Sequence, residues 1–314
     1  MTIPPGIPDA VWQDVLAAVD LADRLPAPDE GELARRLYAD WYLAPASVRD
    51  DRPAAPGPVD LDLVDALRAV HADTARWLSG WTVEATSSRG RVAVRQDGRR
   101  RVVARVDVLP LRRPCLAPRA GDPVRVGARR DTVDETRAFW FAYGGGWDET
   151  AVPAGLVRLY WHAPRRATPS LVGALTGELA RAGCSYALKV AVEDRDVDRP
   201  DRAVLYLTAD ALAAAAPAIR AAYRGLRRQL WSSVPRLAQR LGHGLAVAED
   251  PGGGESFGEH RCRLVAAGLA RTPRQGSRRA RAAALLERLA DAGLDPARPH
   301  LQPGSERDYR WLLT

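Results

Sequence analysis

Between Gly155 and Thr208 the hydrophobic period switches from two to helical and back again. The run reads VRLYWH, then PSLVGALTGELARAG, then SYALKVAV, then, after a polar stretch, RAVLYLT. Alternation over six to eight residues is the mark of a strand, and the amphipathic run between is long enough only for a helix. Residues two apart on a strand share a face and neighbours do not. Tyr186, Leu188, Val190 and Val192 are the bulky side of SYALKVAV, leaving Ser185, Ala187, Lys189 and Ala191 together on the other. By the same rule Arg158, Tyr160 and His162 share one face of VRLYWH, and Arg202, Val204, Tyr206 and Thr208 one face of RAVLYLT. Three adjacent strands of this kind converge lysine, histidine, tyrosine and arginine on one surface.

The rest of the chain is read around that unit. Residues 8–45 carry apolar side chains at helical spacing, with Val11, Val15, Leu16 and Val19 in one run and Leu33, Leu37 and Trp41 in the next. A Pro-, Asp- and Ala-rich linker, 49–59, precedes an amphipathic run from Asp60 to Leu78 with Leu63, Leu67, Val70 and Trp77 on one side. From Trp81 to Tyr143 the period is two, and Asp97-Gly98 between RVAVRQ and RVVARVDV is a hairpin signal. A long helix is expected over Ala209–Leu230, broken or kinked at Pro217, then a glycine-rich loop at Gly252–Gly254 leading into a helix capped by Ser256, and an Arg-rich helix over Gln275–Ala292. The expected class is α+β: a central mixed sheet flanked by helices, with an N-terminal helical region and a small antiparallel β region. The expected divisions are 1–80 helical, 81–150 β-rich, and 151–314 the α+β domain. A length of 314 residues suits one large domain or two ordinary ones.

The cations are the most informative part of the composition. The chain has 45 arginines and a single lysine, Lys189. An Arg-, Ala-, Gly- and Pro-rich background of this kind makes arginine the default wherever only charge is needed. Arginine stays protonated in a protein, whereas a lysine gives up its proton once burial or neighbouring cations lower its pKa. Lys189, flanked by small side chains, is therefore a candidate base rather than a generic cation. The net charge of +7 points to an acidic partner such as a phosphate or a phosphopeptide. Nucleic acid is not indicated, because the nine tryptophans are spread along the chain without a recognisable module. The three cysteines, Cys115, Cys184 and Cys262, form neither a CxxC nor a Cys/His cluster, so no disulfide framework and no zinc site is expected. No apolar run reaches bilayer length and the N-terminus has no secretory pattern, so no membrane association and a cytoplasmic location are expected. GxGxxG and a P-loop are both absent.

The residues quoted above, with RPDRAVLYL and GHGLAVAEDPGGGESFGEHRCRLVAAGL, carry a resemblance. The segment from about Gly155 to Ala270 resembles the HopA-type effector family, whose actinobacterial relatives act in the maturation of ribosomal peptides, in class V lanthipeptide and thioamitide pathways. The resemblance implies a phosphoserine or phosphothreonine lyase that removes phosphate from a precursor peptide to give dehydroalanine or dehydrobutyrine, beside a separate kinase-like partner. By strand position it implies Lys189 as base and His162 as acid. The chemistry then asks for groups to hold the departing phosphate, and Arg199, Arg240, Arg261 and Arg263, with Tyr206, are candidates, joined by Arg158 and Tyr160 on the face shared with His162. No metal and no organic cofactor is expected. The alternative is a non-catalytic partner that holds a leader or phosphopeptide for the kinase.

Overall fold

A computed structural model describes residues 3–26, 28–43, 57–72, 77–112, 117–195 and 198–314. The 49–59 linker falls mostly outside these, as does Cys115. The helices are α1 (Asp9–Arg24), α2 (Glu30–Leu37), α3 (Leu61–Val70), α4 (Thr168–Arg181), α5 (Ala209–Leu226), α6 (Phe257–Ala270) and α7 (Arg278–Asp291), and a π-helical turn, Tyr38–Tyr42, continues α2. The strands are β1 (Trp77–Thr86), β2 (Arg91–Gln96), β3 (Arg99–Ala104), β4 (Val108–Pro110), β5 (Pro123–Gly127), β6 (Asp131–Asp134), β7 (Phe139–Gly144), β8 (Leu156–Trp161), β9 (Tyr186–Ala191), β10 (Ala203–Thr208), β11 (Gln239–Gly242) and β12 (Leu245–Glu249).

The class is α+β, but the central sheet is not mixed. Seven strands in the order β11-β12-β8-β10-β9-β7-β6 pair antiparallel at every ladder. Strand alternation reads burial and face but carries no direction, so the sequence pattern is the same either way. The sheet begins at Asp131, inside the segment expected to form the small β region. Only β1–β5 make the separate sheet, in the order β3-β2-β1-β5-β4, closed over Trp81, Val83, Val94, Val124 and Val126. Its Asp97-Gly98 hairpin turn forms as expected, with both residues at positive φ, 46° and 78°. Arg99 and Arg101 on β3 pair with Asp148 (2.7 Å) and Glu149 (3.0 Å), tying this sheet to the segment that follows β7.

Alternation splits the seven-stranded sheet cleanly. One face sends Trp140, Val157, Leu159, Trp161, Leu188, Val190, Leu205 and Val247 against α3, α4 and α5. The other sends Tyr160, Val204, Ala246 and Ala248 against α1, α2, the π turn, α6 and α7. The second helical layer covers β12, β8 and β10, while over β9 and β7 the same face carries a small cluster of its own, with Tyr143, Trp147, Leu156 and Ala187. The site lies where the helices stop.

Several local expectations change. Trp77 and Leu78 open β1 instead of closing a helix, since α3 ends at Val70, and Trp77 is 42% exposed. Pro217 sits inside an α5 that runs without a break from Ala209 to Leu226, held by the buried side chains on both sides of it, Leu212, Ala215, Ala216, Ile219 and Ala222. The hairpin β11–β12 was hidden in the glycine-rich segment. LAVAE is buried at all five positions, so it shows no alternation to reveal it. Ser256 caps α6 in a full capping box with Glu259.

Candidate active site

Lys189 stands at the middle of β9, level with Val204 on β10 and Phe141 on β7. The ring of Phe139 comes from β7, and the Lys189 ammonium lies 3.6 Å from its centroid. The guanidinium carbon of Arg199 is 5.1 Å from the same centroid, so two cations share one aromatic ring. Burial is the main reason the Lys189 pKa falls from 10.5 to about 8. Asp201 and Glu259 push it back up, and Arg199 and Arg158 push it down. At neutral pH a useful fraction of this lysine is neutral, and its side chain is half-buried, not sealed.

Arg158 comes from β8, on the same face. Its Nε donates to Asp250 at 2.6 Å and its Nη2 to the Glu255 carbonyl at 3.1 Å. The guanidinium also lies 5.3 Å from the Tyr206 ring centroid. Burial disfavours this cation, but its surroundings, the Asp250 carboxylate among them, more than offset it, so it stays charged. Tyr206 on β10 is level with Arg158 on one side and Ala187 on the other, and burial drives its hydroxyl well above the usual tyrosine range. It is therefore a protonated donor at any physiological pH.

Beside these residues is a cavity of about 640 Å³. Arg158, Tyr206, Phe141, Ala187 and Trp147 line it, and Gly252–Gly254 form its outer wall. Ala187 is two residues before Lys189 on the same strand face and Phe141 is the register partner of Lys189, so immediate neighbours of Lys189 line the cavity although Lys189 itself does not. Gly252, Gly253 and Gly254 all have positive φ (77°, 65° and 79°), which is what the triple glycine is for: a side chain would be strained at each. The aromatic β7, FWFAYG, is the contribution the motif reading missed. Its alternation Phe139, Phe141, Tyr143 was the available signal.

The other candidates are placed as follows. Arg199 is buried, with both arms of its fork on Asp201 (2.7 and 3.1 Å) and a further contact to Glu193 at 3.4 Å. It reaches Lys189 through its field, with its donors already committed. Arg261 is fully buried over the Phe257 ring, donates to the carbonyls of Pro299 (2.8 Å) and Leu301 (2.9 Å), and burial lowers its pKa to about 10. It pins the C-terminal segment to α6. Arg263 is exposed and paired with Glu255 at 2.9 Å, and Arg240, on the edge strand β11, donates to the Ser232 carbonyl at 2.6 Å. Tyr160 is buried in the helix-covered layer against Phe257.

His162 follows β8 at its end. Its Nε2 is 2.6 Å from Asp198 Oδ1, and its Nδ1 is 2.8 Å from Ser233 Oγ and 3.0 Å from the Ser233 carbonyl, with Trp231 edge-on at 5.1 Å. The register sets it two strands across and two residues further along than Lys189, roughly 12 Å between Cα atoms at ordinary strand spacing. Strand parity assigns His162 to the Lys189 face, but the register does not bring it to Lys189. Among the described residues no group of His, Cys, Asp and Glu has the arrangement of a metal site, and no helix is long and apolar enough to cross a membrane.

Comparison with known proteins agrees with this architecture. The chain is similar to the structures of the effector proteins of Pseudomonas syringae pv. tomato (TM-score 0.52, 15% identity, covering 93% of this chain and 97% of that one) and Pseudomonas syringae pv. syringae (TM-score 0.52, 16% identity, covering 94% and 98%). No curated protein matches significantly. The model of the HopA1 effector protein family matches residues 132–301, starting at β6 where the seven-stranded sheet starts. That match takes in more than half of the sequence, and the chain belongs to the HopA1 effector protein family.

Proposed function

We propose that this protein is a phosphoserine/phosphothreonine lyase that eliminates phosphate from a phosphorylated ribosomal precursor peptide, as in lanthipeptide maturation, after a separate kinase-like protein has installed the phosphate. The observation that carries the reading is Lys189, the only lysine of the chain, half-buried with a pKa near 8 beside Phe141 and Ala187, which line an aromatic cavity together with Arg158 and Tyr206. Elimination needs a base for a weakly acidic Cα proton, a cation for the phosphate and a proton for the departing oxygen. Neutral Lys189 Nζ takes the Cα proton, the electron pair forms the Cα=Cβ bond, and the Cβ–O bond breaks. Arg158 lines the cavity, held by Asp250, which lines it too, and by the Glu255 carbonyl, and meets the phosphate charge. Tyr206, between the Arg158 strand and the Lys189 strand, protonates the bridging oxygen. A positioned acid of this kind contributes about 10²- to 10⁴-fold. Arg199 serves by keeping the Lys189 pKa low.

The test is thiol trapping. After incubation with the protein, a phosphopeptide that has undergone elimination adds 2-mercaptoethanol at Cβ, whereas a hydrolysed one carries a hydroxyl and does not. Adduct formation supports the lyase reading. Binding of phosphopeptide with no adduct supports a non-catalytic peptide-holding role instead.

A further inference from the structure

The cluster around His162 is separate from the Lys189 cavity and has an organisation of its own. Ser233 Oγ, the His162 ring and the Asp198 carboxylate form a continuous hydrogen-bonded chain, at 2.8 and 2.6 Å. The histidine is fully buried, while Ser233 lies on the wall of a second cavity, of about 1020 Å³, between the start of α1, the segment before β11 and the C-terminal segment. A hydroxyl at a cavity wall, a ring behind it and a carboxylate behind the ring is the geometry in which a serine becomes a nucleophile. The two ring nitrogens are exchanged relative to the usual serine hydrolase, with Nδ1 towards serine and Nε2 towards the carboxylate, which the chemistry permits because either nitrogen can hold the proton.

The segment carrying Ser233 is held in place from several sides. The Trp231 amide donates to the His162 carbonyl at 2.9 Å, and Arg240 donates to the Ser232 carbonyl at 2.6 Å. Asp14 on α1 accepts from Arg236 and from the Leu237 amide, both at 2.8 Å. Leu237 itself has φ +60°, a left-handed conformation that a leucine adopts only when its surroundings enforce it. The serine is thus presented by a strained, over-constrained segment.

We propose that Ser233, His162 and Asp198 are a second reactive centre, a serine nucleophile acting on carboxylic esters that enter the larger cavity. With Nε2–H donating to Asp198, Nδ1 accepts the Ser233 hydroxyl. Ser233 Oγ attacks the ester carbonyl carbon while its proton passes to Nδ1, and the new Nδ1–H has the Ser233 carbonyl at 3.0 Å as a second acceptor. The leaving alkoxide then takes that proton, and the acyl-serine is released by water as a carboxylic acid. This centre does not depend on the elimination reading, since it shares no residue with it.

A fluorophosphonate probes the array directly: Oγ displaces fluoride from phosphorus, forming an O–P bond, and the serine proton leaves with the fluoride. The full chain is expected to gain one phosphonyl group, mapped by peptide mass to Ser233. Ser233→Ala is expected to remain unlabelled with an unchanged melting temperature. Asp198→Asn, at a half-exposed position, is expected to label at least about 100-fold more slowly, the lower end of the contribution of a positioned acid–base pair. No adduct, an adduct at another residue, or Asp198→Asn labelling at the parent rate would overturn the proposal and leave the three residues as a clamp between two loops.

Discussion

The lysine and the arginines around it behave differently because their donors are used differently. Lys189 has its ammonium over a ring, and burial, not that contact, lowers its pKa to about 8 and leaves it able to accept a proton. Its reactive form is the neutral one, so the elimination rate should rise about tenfold per pH unit below 8 and level off above it. A rate profile flat from pH 6 to 9 would remove Lys189 as the base. The same shift has a consequence for stability. The folded lysine releases its proton near 8 and the unfolded one near 10.5, so between these values the unfolded state binds more protons and this group's contribution to stability rises with pH. The arginines divide by partner. Arg199→Ala removes the guanidinium that two buried carboxylates, Asp201 and Glu193, share, and a loss of about 3–5 kcal/mol of folding stability is expected by denaturant titration. Arg158→Lys keeps the charge but loses the fork, and should weaken phosphopeptide binding by about 1.5–3 kcal/mol in calorimetry while leaving unphosphorylated peptide unaffected. These roles were only partly legible in the sequence. Parity placed Lys189, Arg158 and Tyr206 on one face, but nothing in the spacing said that Arg199 and Arg261 would spend their donors on Asp201 and on the Pro299 and Leu301 carbonyls.

At the level of elements, β8, β9 and β10 were readable because each buries a bulky side against α4 and α5 and presents a mixed side to the site. What parity leaves open is register, and register separates His162 from Lys189 and brings Phe139 and Phe141 to it. The link between β7 and β9 is held by a close approach. A Cβ on Gly145 would lie 1.9 Å from the Cys184 carbonyl oxygen, and its φ is +62°. Gly145→Ala should therefore cost about 1–3 kcal/mol or more through overpacking and backbone strain, seen as a lower melting temperature. It should also lower the elimination rate, because the same link sets how β7 lies against Lys189. An alanine variant as stable as the parent would mean that the two segments are not in this contact.

For the whole molecule, the seven-stranded sheet draws its strands from residue 131 to residue 249, and its site-bearing face is covered by α1 and α2 as well as α6 and α7. The division expected at 150 cuts β6 and β7 from this sheet and takes Phe139 and Phe141 from Lys189. A fragment of residues 151–314 is accordingly expected to lack a cooperative thermal transition, and to lack elimination activity, where the full chain has both. Periodicity gave the right class and composition the unusual lysine, while the antiparallel order and the N-terminal helices' place over the sheet depend on long-range contacts that no local window carries. The central claim is that one lysine drives elimination of phosphate, and the most direct measurement is the mass of a phosphoserine- or phosphothreonine-containing precursor peptide after incubation with the parent protein and with Lys189→Arg. The parent should remove phosphoric acid, leaving a dehydrated residue, and the arginine variant, folded but unable to deprotonate, should leave the peptide intact. A peptide that keeps its phosphate with the parent, one that loses phosphate and retains the hydroxyl, or an arginine variant as active as the parent would contradict it.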